Sequence, residues 1–97
     1  MYVSILSGQV VKDNWARLEE AYAKAIRHPP EGLLDSYLIQ DSESRTLWQI
    51  VSVWRSQEAY ELSHEMKVTE TCTQLFCDAG STPVRSAHRV SRHYSRV

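Results

Sequence analysis

At 97 residues, with 42% hydrophobic and 24% charged side chains, the chain has the composition of a folded single domain spanning 1–97; a disordered segment would hold too little apolar surface to offset its ordering entropy. A net charge of −1 gives no general attraction to nucleic acid or to an anionic membrane, since both need an excess of Lys and Arg. No stretch approaches the roughly 18 apolar residues of a membrane span and no basic start leads into an apolar run, so the expected location is cytoplasmic.

Tyr2 to Val11 is rich in β-branched and aromatic residues without a helical stripe and reads as a strand. Asp13 or Asn14 can cap a helix in which Trp15, Leu18, Tyr22, Ala25 and Ile26 recur along one face. Pro29-Pro30 and Gly32 stop that helix at His28. Leu33 to Gln40 is a second strand, the polar run Asp41 to Arg45 a hairpin loop, and Thr46 to Trp54 a third strand. Ser56 can cap a second helix whose core stripe is Ala59, Leu62, Ser63 and Met66, with helical character continuing to a C-terminal cap at Gly80. Pro83 opens a last strand running to about Tyr94, and the arginines change parity between Arg89 and Arg92, which suggests a bulge. The order β-α-β-β-α-β predicts an α+β, ferredoxin-like fold: an antiparallel four-stranded sheet with two helices on one face.

Cys72 and Cys77, five residues apart on one helix, have Cα atoms about 8 Å apart, beyond disulfide reach, and are expected as free thiols. Two cysteines without close partners also make poor zinc ligands. His88 and His93 differ in parity and read as surface residues. Residues 83–97 hold Arg85, Arg89, Arg92 and Arg96 and no acid, which reads first as a solvated or acid-paired strand.

The strands are apolar on both faces. Trp48, Ile50 and Trp54 share one side of the third strand, Leu47, Val51 and Val53 the other. Val3 and Ile5 oppose Tyr2 and Leu6, while Leu33, Tyr37 and Ile39 oppose Leu34 and Leu38. Two helices cover one face only, so the other is expected to pack on the same face of a second copy, as a homodimer. Where the third strand hands over to the second helix, Trp54, Tyr60 and His64 converge, and this junction is the expected small-molecule pocket. Taking the helix at 100° per residue, Tyr60 and His64 lie roughly 110–150° from the centre of the stripe and flank the core.

The run Trp54-Arg55-Ser56-Gln57-Glu58-Ala59-Tyr60, followed by His64, resembles the antibiotic biosynthesis monooxygenase family of dimeric α/β barrels, and the element order matches over the whole chain. The resemblance implies sheet-to-sheet dimers with a pocket between helices and sheet in each protomer. It also implies oxidation of an aromatic phenolic or quinol-type small molecule by O2 with no metal or flavin cofactor. Trp54 and Tyr60 stand at the spacing of the Trp and Tyr in the aromatic-oxidising branch. That branch has an Asn where this chain has Ile50 and an Arg where it has Gln74. For haem-degrading relatives, alignment from the helix that opens at Ser56 puts the iron-binding His near Gln74, and Ser7 stands where they carry an Asn.

In a cofactor-free oxygenase the substrate itself reduces O2, as an anion. The protein removes a proton, stabilises the charge and excludes water. Imidazole is suited to taking a proton near neutral pH, which makes His64 the candidate base. Tyr60 is the candidate hydrogen-bonding phenol, and Trp54, with Trp48 and Tyr22 as further pocket-wall residues, the candidate binding surface. The competing reading is a non-catalytic dimer of the same fold that binds a small ligand or a partner. RNA recognition, available to the same element order, needs a basic-Gly-aromatic pattern that Leu47 to Val53 lacks.

Overall fold

The computed structural model describes residues 1–65 and 70–96. Four strands, β1 (Tyr2–Gln9), β2 (Leu33–Gln40), β3 (Leu47–Trp54) and β4 (Val84–Arg89), form one sheet in the order β2-β3-β1-β4, every neighbouring pair antiparallel. Helix α1 (Trp15–Ala25) joins β1 to β2. Helices α2 (Gln57–Glu65) and α3 (Glu70–Asp78) join β3 to β4. This is the ferredoxin-like α+β arrangement, with the apolar strands β1 and β3 at the centre.

Period-two alternation sorts β3 cleanly. Trp48, Ile50, Ser52 and Trp54 are buried beneath the helices, while Leu47, Gln49, Val51 and Val53 are half-buried on the far side. On β1 the helix face carries Ser4, Leu6 and Gly8, all buried. The core then builds from Leu6, Val10, Leu18, Trp48, Ile50, Leu75, Phe76 and Ala79. The far face keeps Val3, Ile5, Val51 and Val53, flanked by Tyr37 and Ile39, which remain exposed.

Local chemistry sets the helix ends. Asn14 does not cap α1; its Nδ2 donates to the Ala79 carbonyl at 2.9 Å and ties the start of α1 to the end of α3, while a 3-10 turn over Lys12–Asn14 leads into the helix. The expected capping hydrogen bond at Asn14 is thus replaced by a tertiary one. Ser56 does cap α2, its Oγ accepting from the Ala59 amide at 3.1 Å. At the end of α3 the Ser81 amide donates to the Phe76 carbonyl (2.9 Å) and the Gly80 amide to the Cys77 carbonyl (3.0 Å), with Gly80 at φ +80° as this C-terminal cap requires.

Four expectations need correction. A register shift between Leu33 and Asp35 turns Leu33 to face Trp54 on the helix side, whereas Tyr37 and Ile39 lie on the other; the sequence alternation had put all three together. In α2 the buried residues are Tyr60 and Ser63, and Leu62 is 56% exposed, because Tyr60 packs on the aromatic rings of β1 and β3 and rotates Leu62 outward. Met66, assigned to the same stripe, lies outside the described residues. Ile26 caps the end of α1 and is exposed rather than core. β4 ends at Arg89, so the parity change between Arg89 and Arg92 falls beyond the strand and is no bulge. Both cysteines are free thiols, as expected. Among the described residues no helix is long and apolar enough to cross a membrane.

Candidate functional site

Strand register brings three serines into one row across the helix face of the sheet: Ser36 of β2 is paired with Ser52 of β3, and Ser52 with Ser4 of β1. Small side chains in a row flanked by Trp54, Leu38 and Ile50 leave space beneath the helices. The space is a cavity of about 80 Å³ between the C-terminal end of α1, the Pro29-Pro30 turn, the inner face of β2 and β3, and Cys72 of α3. Its lining is mostly apolar, with Leu33 and Trp54 among the walls.

Two of the three serines are already engaged. The Trp54 indole Nε1–H donates to Ser4 Oγ at 3.0 Å in a buried setting, which fixes the plane of that ring. The Tyr22 hydroxyl and Ser36 Oγ share a 2.7 Å hydrogen bond that pins α1 to β2. Ser52, 8% exposed and lining the cavity, makes no hydrogen bond through its hydroxyl to any described group. Cys72 presents a thiol to the same space. Burial pushes that thiol's pKa up, and the Arg85 guanidinium, held by a 2.9 Å hydrogen bond to Thr73 Oγ1, works in the opposite direction.

Of the residues that the sequence singled out, Tyr22 and Trp54 line this cavity. Trp48 is buried behind it, edge-on to Trp15 at 5.9 Å, and borders an open groove beside α1 and β2 that shares Tyr22 and Ser36 with the cavity. The Trp48 Nε1–H is buried without a partner among the described residues. Tyr60 and His64 are outside the cavity lining. Tyr60 meets Trp54 edge-on at 5.7 Å and Tyr2 at 5.4 Å, and the exposed His64 stacks on Tyr60 at 6.1 Å with an 18° interplanar angle. A continuous aromatic series, Trp54, Tyr60, His64, thus leads from the cavity wall to the surface. The imidazole that does line the cavity is His28, at its exposed rim.

The positions at which the aromatic-oxidising branch carries Asn and Arg are not turned to chemistry. Ile50 is fully in the core, and Gln74 is exposed with its Nε2 bonded to Asp78 Oδ1 at 2.8 Å. Among the described residues no three His, Cys, Asp or Glu side chains gather as a metal site would require. Sequence reasoning missed Ser4, Ser36, Ser52 and Cys72. The available signal was a hydroxyl at the inward parity of otherwise apolar strands, but the row itself depends on pairings between distant segments.

The family of antibiotic biosynthesis monooxygenases matches residues 1–69. No curated protein matches the chain. Among solved structures, a protein from Deinococcus radiodurans assigned to antibiotic biosynthesis monooxygenases superposes with a TM-score of 0.74 at 18% identity, covering 100% of this chain and 99% of that one. A mutant of SnoaB, a cofactor-independent oxygenase from Streptomyces nogalater, gives 0.74 at 14% identity, with 98% of each chain covered. A mutant of MhuD with two manganese protoporphyrin IX bound per active site gives 0.78 at 16% identity, over 99% of this chain and 100% of that one. At these identities the similarity is one of fold, and the matched span, 69 of 97 residues, carries the assignment: the chain belongs to the antibiotic biosynthesis monooxygenase family.

Proposed function

We propose that the chain is a cytoplasmic, homodimeric monooxygenase that oxidises an aromatic phenolic or quinol-type small molecule with O2, using neither metal nor flavin. The observation that supports this most is Trp54. Its indole is held by Ser4, lines an apolar cavity and meets Tyr60, in a chain of this family. An aromatic ring in the cavity would meet an indole held in one orientation, which favours stacked or edge-on contact. Tyr60 is the candidate phenol to steady the developing oxyanion and His64 the candidate base. Both stand on the α2 side of Trp54 and outside the cavity lining, so they would act on a substrate group that reaches past that ring. The second copy would cover Val3, Ile5, Val51 and Val53.

Oxygen uptake with a panel of hydroquinones and anthrone-like phenols tests the proposal. Turnover above the uncatalysed rate that falls at least tenfold in Trp54→Ala and His64→Ala is the expected result. No turnover with any member, and variants that change only ligand affinity, would replace it with a non-catalytic ligand-binding dimer. Titration with haem is the second check: a Soret shift abolished in His64→Ala would point instead to porphyrin binding, the ligand class bound in the MhuD structure.

A further inference from the structure

The serine row carries one inference beyond that reading, although it rests on the same cavity. Hydroxyls inside a protein are costly unless they are bonded, and the flanking members of the row obey this: Ser4 accepts from Trp54 and Ser36 is bonded to Tyr22. The central member, Ser52, is more than nine-tenths buried, borders the cavity and is bonded to no described group. Of the hydroxyls that line the cavity, those of Tyr22 and Ser36 are bonded to each other, which leaves Ser52 as the one without a described partner, and a few placed polar groups in an apolar cavity are the pattern by which small-molecule sites fix orientation.

We infer that Ser52 is the anchor for the oxygen of a single six-membered ring, so that the ligand is a one-ring phenol, quinol or cyclic ketone rather than a fused polycycle. Size points the same way. The cavity of about 80 Å³ is smaller than the roughly 150 Å³ of an engineered apolar cavity that admits benzene. A ring therefore enters oxygen-first and leaves its far edge at the rim formed by His28 and Pro29, and the added ring of a fused system would lie outside the cavity. The thiol of Cys72 lies against the seated ring and reports its presence.

The test is anaerobic binding, measured by tryptophan fluorescence and calorimetry, with phenol, hydroquinone, benzene and 1-naphthol as probes. Ser52→Ala removes one oxygen and little else, and circular dichroism checks that its fold is retained. Phenol and hydroquinone should bind the wild type and lose about threefold to tenfold in affinity in Ser52→Ala, the range for one neutral hydrogen bond. Benzene, which has nothing to offer the hydroxyl, should bind both proteins equally. In a Cys77→Ser background, bound phenol should slow alkylation of Cys72. Equal phenol affinity in both proteins, tighter binding of 1-naphthol than of phenol, or unprotected Cys72 each overturns the assignment. A one-ring ligand that binds through Ser52 without O2 uptake upholds the anchor and removes the oxygenase reading. Turnover of a polycyclic substrate that is indifferent to Ser52→Ala does the reverse.

Discussion

Gly8 sets the height of α3 above the sheet, and Gly8→Ala is the sharpest available probe of that packing. The added Cβ would lie 2.5 Å from Ser81 Oγ and 2.6 Å and 3.0 Å from Cδ1 and Cε1 of Phe76. Carbon atoms pack at about 3.5–4.0 Å, so the ring must retreat by roughly 1 Å. Phe76 is fully buried, so its ring cannot swing into solvent and must displace its core neighbours. Overpacking of this kind costs about 1–3 kcal/mol, and reduced freedom of the unfolded chain returns about 0.4–1 kcal/mol; because two contacts fall below 3 Å the cost lies in the upper part of its range, leaving a net loss of about 1–2 kcal/mol. For a chain of this length that is a fall in Tm of about 4–16 °C. Thermal and urea unfolding at one fixed protein concentration measure it, since association shifts apparent stability. The double variant Gly8→Ala/Phe76→Leu should lose less than the sum of the single changes by at least about 0.5 kcal/mol. An unchanged or higher Tm, or strict additivity in the double variant, would show that α3 does not rest on Gly8. The position of Cys72 over the cavity would then need another cause.

Ser4→Ala leaves the buried Trp54 Nε1–H without its acceptor and should cost about 1–3 kcal/mol, read by urea unfolding together with a shift in tryptophan emission. Ser56→Ala removes the α2 cap and should cost about 1 kcal/mol, or about 4–8 °C in Tm. The raised pKa of Cys72 means that the folded state holds this proton more tightly than the unfolded chain. Its contribution to stability is complete below pH 9.0, the thiol's ordinary value, and is lost as pH rises through the higher folded-state value. Unfolding free energies of the wild type and Cys72→Ala should therefore converge above pH 9.0 if other groups act alike in both. Sedimentation of the wild type at micromolar concentration should give a two-copy species and Val51→Asp a single-copy one; a single-copy wild type refutes the homodimer.

The architecture was legible because its signals are local. The alternation of Leu47 to Trp54, the capping Ser56, the Pro29-Pro30 stop and the positive-φ Gly80 each act within a few residues, and the order of elements then leaves little choice of topology. Errors arose where the deciding contact was distant. Tyr60 and Leu62 compete for the buried side of α2, and the outcome turns on Tyr2 and Trp54, some fifty-eight and six residues earlier in the chain. Leu33-Leu34 is apolar on both sides of the bulge, so alternation alone could not reveal the register shift. Pocket-wall candidates Trp54 and Tyr22 were found as aromatics at a strand end and on a helix stripe. The serine row was not, because Ser4, Ser36 and Ser52 become neighbours only once three strands have paired.

β3 joins the two halves of the functional argument. Val51 and Val53 point to the uncovered face, while Ser52 and Trp54, on alternate residues of the same strand, form the floor and wall of the cavity. A side chain on one face cannot move without displacing the backbone that carries its neighbours on the other. A second copy clamped on Val51 and Val53 would therefore hold the Ser52 hydroxyl and the Trp54 ring in place, lowering the ordering entropy that a ligand must otherwise overcome. Linkage makes the effect mutual: a ligand that is bound more tightly by the dimer must tighten the dimer by the same factor. Apolar surface on the outer face and a hollow on the inner one are thus two consequences of a single strand pattern, with Val51 and Val53 outward and Ser52 and Trp54 inward.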